Sequence, residues 1–90
     1  MTTAIATTIS SAPPDGWTPV FSKWRHGGWY VNNVRYPSDA CGCVSRNYVD
    51  GKWRIACDDR RTTLGAPDDI TFKSRDEAAR AEWVLANATA

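Results

Sequence analysis

Ninety residues with a formal charge of +1 make one small domain, and that near-neutral total excludes the strongly basic balance of a general nucleic-acid binder. Five tryptophans in so short a chain point to a thin core helped by large side chains, because a unit of this size gains only about 3 to 5 kcal/mol from its core. No window has the length and apolarity of a membrane span, and Met1 to Pro14 lacks the basic start and apolar stretch of a secretory signal, so a cytoplasmic protein without a membrane partner is expected.

Residues 1–15 are rich in Thr, Ala, Ser and Pro without apolar periodicity and read as a disordered tail, which leaves residues 16–90 as a single α+β domain. Gly27-Gly28, taken as a two-residue turn, pairs Trp24 with Val31 and Arg25 with Tyr30 in a hairpin from about Val20 to Tyr36. Alternation then sorts Val20, Trp24, Trp29 and Val31 onto the core face, and Lys23, Arg25, Tyr30, Asn32 and Tyr36 onto the other. Pro37 to Gly42 reads as the joining loop.

A second two-residue turn at Asp50-Gly51 pairs Tyr48 with Trp53, Arg46 with Ile55 and Val44 with Cys57 on the core face. Ser45, Asn47, Lys52, Arg54 and Asp58 are expected on the opposite face. Thr62 to Asp69 reads as a polar connection before a short Ile70-Thr71-Phe72 segment, so an antiparallel sheet of about four strands in two hairpins is expected. Ser74-Arg75-Asp76-Glu77 has the form of a capping box and opens a C-terminal helix to about Asn87, packed on one face of the sheet. Its expected apolar stripe is Ala78, Ala81, Val84 and Leu85, with Asp76 and Arg80 paired on the other side and Trp83 near that polar side.

Cys41, Cys43, Cys57 and His26 are four soft ligands, and a structural zinc is the sharpest chemistry they offer. The Cys-Gly-Cys step is too tight for the usual pair, and strand alternation puts Cys57 inward and Cys43 outward. Reduced cysteines are therefore expected, without a Cys43 to Cys57 disulfide. A Cys41 or Cys43 nucleophile would depend on His26, which reads better as a turn residue beside Gly27-Gly28. Asp58-Asp59 and Asp68-Asp69 offer oxygen ligands for magnesium, but each lies beside a turn, and Arg60 and Arg61 adjoin the first pair. The expectation is a non-enzymatic protein that uses no cofactor and no metal.

What remains is the outward sheet face. From Trp17 to Arg61 eight basic residues stand against four acidic ones, so the sheet region is basic although the chain is not. Lys23, Arg25, Tyr30, Asn32, Tyr36, Asn47, Lys52 and Arg54 combine phosphate-binding cations with groups that stack on bases or read their edges. An ordinary solvated antiparallel face has the same alternation.

Gly28-Trp29-Tyr30-Val31, then Gly51-Lys52-Trp53-Arg54-Ile55, then Thr71-Phe72-Lys73-Ser74-Arg75-Asp76-Glu77-Ala78 resemble the sheet-then-helix DNA-binding domains of plant ethylene-response factors and the arm-binding domains of tyrosine recombinases. The resemblance spans about Gly28 to Ala86, and it implies that the sheet face lies in the major groove. The chain also has the general look of small proteins of bacteria and their phages. The expected function is nucleic-acid binding through the basic, aromatic sheet face. The alternative is a protein-interaction module, such as a host-modulating accessory protein of a mobile element, with Trp83 and the outward tyrosines as anchors.

Overall fold

In the computed structural model, described over residues 12–56 and 69–88, the strands pair in chain order. β1 (Phe21–Arg25), β2 (Gly28–Arg35), β3 (Cys41–Ser45) and β4 (Arg54–Ile55) form one antiparallel sheet in the order β1-β2-β3-β4. The helix α1 (Arg75–Ala88) packs on β2, β3 and β4, which is the α+β arrangement expected. Trp53 also bridges to Phe72, the remnant of the expected short segment before the helix.

The first hairpin turns one residue earlier than expected. His26-Gly27 makes the turn, with Gly27 at φ 72°, and Gly28 already belongs to β2. A bulge between Lys23 and Arg25 accompanies it, so Phe21 pairs with Val31, Ser22 with Tyr30 and Lys23 with Trp29. An odd shift in register reverses the faces of a strand. Phe21 therefore packs against the core beside Trp29, while Trp24 lies on the opposite face and Val20 is exposed. Lys23 is corrected in the same way: its Nζ lies 5.9 Å over the Trp29 ring, on the helix side of β1.

A second irregularity, between Val31 and Arg35, puts both Val31 and Val34 in the core, a spacing that strict alternation forbids. Asn32 and Asn33 are exposed between them, and the Asn33 side chain accepts from Val20 N–H and donates to the Thr18 carbonyl. Tyr36 is corrected as well. Instead of pointing outward it packs against the core, and its hydroxyl donates to the Glu82 carboxylate of α1 at 2.5 Å.

β3 and β4 are joined by a longer loop, Arg46 to Trp53, so Val44 pairs with Ile55 and Ser45 with Arg54. The register differs from expectation by two residues, which preserves the faces. What changes is burial. Val44 and Ile55 are buried on the helix face, and Cys43, Ser45 and Arg54 are buried on the other. Arg54 was expected in solvent and is instead 1% exposed. Cys43 carries a disulfide bond and Cys41 is a free thiol, which corrects the expectation of reduced cysteines. Cys57, the remaining cysteine of the sequence, lies outside the described residues, as do Asp58, Asp59, Arg60, Arg61, Asp68 and residues 1–11 of the expected tail.

The helix begins where the capping box put it. Glu77 N–H donates to Ser74 Oγ at 3.1 Å, and Glu77 Oε1 accepts from Lys73 N–H at 3.3 Å. Asp76 and Arg80 form the expected ion pair at 2.6 Å. The buried face is Ala78, Ala79, Glu82 and Ala86, turned by about one residue step (~100°) from the expected stripe. The turn brings Glu82 under the sheet, where its Oε2 accepts from Cys43 N–H at 3.1 Å. Small side chains permit the close approach: a Cβ on Gly42 would lie 2.7 Å from Glu82 Oε1 and 2.9 Å from Val34 Cβ. Val31, Val34, Val44, Ile55, Ala78, Ala79 and Ala86 form the buried core, and Trp17, Trp29, Trp53 and Trp83 frame it without being fully buried.

Candidate functional site

The expected outward constellation divides into three groups. Arg25, Tyr30 and Asn32 stay together on the outer face of β1 and β2, all exposed. Asn47 and Lys52 are exposed in the β3–β4 loop, with Asn47 Cβ 3.0 Å from where a Gly27 Cβ would stand, so that loop abuts the first turn. Lys23, Tyr36 and Arg54 are turned elsewhere, as described above.

Trp24 organises the first group, and the face assignment made from sequence missed it. A Cβ on Gly28 would lie 2.7 Å from Trp24 Cε3, so the indole rests on bare backbone that only glycine provides there. The Arg25 guanidinium carbon sits 3.8 Å over the indole centroid, and the Tyr30 ring lies alongside at 5.9 Å with a tilt of 44°. Stacking holds an arginine fork ready for anions while leaving its donors free. Tyr30 is 37% exposed. Asn32 Oδ1 accepts from Ser22 Oγ at 3.2 Å, which fixes the amide beside the aromatic pair. From Phe21 to Arg35 the chain has Lys23, Arg25 and Arg35 and no Asp or Glu.

Arg54 is a structural group. Its Nη1 and Nη2 donate to the two Asp50 carboxylate oxygens at 2.8 Å each, its Nε donates to Asp69 Oδ2 at 2.8 Å, and Tyr48 covers it at 4.7 Å. The hydrogen bonds from Arg54 and from Lys52 N–H hold the Asp50 carboxyl far below the usual carboxylate range, and the Arg54 guanidinium is correspondingly held in its charged form. Asp50 thus serves the loop turn and the buried cation together. Trp83, the alternative anchor, packs against the core.

His26 is exposed in the first turn. Cys41 Sγ donates to the Val31 carbonyl at 3.3 Å, and the disulfide removes the Cys43 thiolate from any ligand set. Among the described residues no group of three His, Cys, Asp or Glu side chains is placed to hold a metal ion, and no helix is long and apolar enough to cross a membrane. Ala12 to Gly16 line a cleft of about 360 Å³ with Arg80, Ala81 and Val84, so residues 12–16 lie along the helix.

Comparison with protein-family models, with curated proteins and with solved structures returns no match to this chain. The functional reading rests on the geometry of the outer face.

Proposed function

We propose that the chain is a non-enzymatic, cytoplasmic binding domain that takes a nucleic acid on the outer face of β1 and β2. The observation that carries the reading is the stacked pair Trp24–Arg25 at 3.8 Å beside Tyr30, on two strands free of carboxylates. Such a face attracts phosphates and offers flat groups to bases. Arg25 is the phosphate or base-edge contact, Tyr30 the stacking residue and Asn32 the polar reader, with Lys52 and Asn47 in the neighbouring β3–β4 loop.

The reading is tested by titrating the protein into labelled oligonucleotides at low and moderate salt while following anisotropy. Salt-sensitive binding in the micromolar range that Arg25→Ala abolishes is the expected result. Cys43 is disulfide-bonded in the structure and a reducing cytoplasm favours free thiols, so both redox forms are to be titrated. Absence of binding by either form at low salt removes the nucleic-acid reading in favour of a protein partner. A protein partner has less support, because Trp83 is packed against the core and Tyr30 lies beside the indole that carries the Arg25 guanidinium.

A further inference from the structure

Resting on that reading, we infer that the partner is single-stranded, and that unstacked bases lie on Tyr30 and on the guanidinium of Arg25. The face is layered in a way that duplex recognition does not require. The Trp24 indole lies against the Gly28 backbone, and the Arg25 guanidinium carbon sits 3.8 Å over the indole centroid. That contact holds a planar, exposed cation in place. Tyr30 lies next to it, its ring 5.9 Å from that of Trp24.

Bases in a duplex bury their faces against one another and show only their edges in the grooves, so flat groups on a protein surface have nothing to cover. Bases in a single strand expose their faces, and aromatic rings and arginine planes are the groups that cover them. The charge distribution agrees. Duplex binders commonly neutralise about 6 to 10 phosphates. On this surface Arg25 and Lys52 are exposed, Lys23 lies over Trp29 on the helix side, and Arg54 is held by Asp50 and Asp69. Two cations suit a short single strand, and its remaining affinity must come from stacking.

Asn32 adds a polar contact. Its Oδ1 accepts the Ser22 hydroxyl at 3.2 Å, which leaves the amide nitrogen as the donor available to a base carbonyl.

The test compares one mixed-sequence octanucleotide as single-stranded DNA, as single-stranded RNA and as a DNA duplex, using the full chain. Either single strand is expected to bind at least about tenfold more tightly than the duplex, with a log–log salt slope of about −1.4 for two phosphates. Tyr30→Ala is expected to weaken single-strand binding by about tenfold or more, whereas Tyr30→Phe keeps the ring and stays close to wild type. Arg25→Lys keeps the charge but removes the plane, and it is expected to weaken single-strand binding while leaving the salt slope unchanged. Thermal melts accompany each variant. Equal or tighter duplex binding, or an unchanged affinity in a folded Tyr30→Ala, overturns the single-strand inference and leaves the nucleic-acid reading standing. Failure of all three oligonucleotides to bind at low salt overturns both.

Discussion

Arg54→Ala is the substitution that separates the observed burial from the solvent-facing placement that alternation predicts. The side chain is 1% exposed and its Nε meets Asp69 Oδ2 at 2.8 Å, with the Asp69 side chain also 1% exposed. Removing one member of a buried ion pair costs about 3 to 5 kcal/mol, because the other charge stays buried without it. Loss of the cation over Tyr48 adds about 0.5 to 2 kcal/mol. The Asp50 contact, with that carboxylate 39% exposed, is left out of the sum because solvent screens it. The total rivals the whole core contribution of about 3 to 5 kcal/mol available to a domain this small. Arg54→Ala is therefore expected to lose its cooperative thermal and urea transitions, followed by tryptophan fluorescence, while Arg25→Ala on the outer face melts within a few degrees of wild type. A folded Arg54→Ala with a melting temperature near wild type would refute the assignment of Arg54 to the interior.

Gly42→Ala is expected to destabilise by about 1 to 3 kcal/mol, since the new Cβ would stand 2.7 Å from Glu82 Oε1 and 2.9 Å from Val34 Cβ. Calorimetry reads this as a drop of several degrees, and an unchanged transition contradicts the close helix–sheet approach. Reduction with dithiothreitol is expected to lower stability by about 2 to 4 kcal/mol through the bond at Cys43, measured as a shift of the urea midpoint. The Asp50 carboxyl has its folded pKa depressed, so its stabilisation is present above the unfolded value of about 3.9 and is lost as pH falls below that and through the folded pKa. Urea midpoints measured downward from pH 5 should fall less steeply in Asp50→Asn than in wild type, and parallel curves would show that this carboxylate does not drive the acid loss.

The helix signals, which depend only on neighbouring residues, appear as expected, whereas the first turn lies one residue earlier and the second is a longer loop. The capping box, the Asp76–Arg80 pair, the α+β class and the two hairpins all appear in the fold. Errors arose where register decided the face. The bulge between Lys23 and Arg25 exchanged Phe21 for Trp24 in the core, and no residue in that stretch marks it beyond the glycine at which the turn closes. Of the expected site, Arg25, Tyr30 and Asn32 survived together, because β2 kept its alternation up to Val31. Arg54 was misplaced for a different reason: alternation locates a polar side chain on a face but cannot see that Asp50 and Asp69 close over that face. Glu82 escaped notice because its partners, Tyr36 and the Cys43 amide, are forty or so residues away in the chain.

The contact between Glu82 and the Cys43 amide links two elements that would otherwise open independently. Within a sheet an amide proton is normally held by the neighbouring strand, and its exchange with solvent reports the opening of that ladder. Here the Cys43 proton is held by a carboxylate of α1, while the Cys43 carbonyl accepts from Ala56 N–H just beyond β4. Undocking of the helix therefore uncovers a proton in the middle of β3, and the exchange rate at that one amide measures how often α1 leaves the sheet.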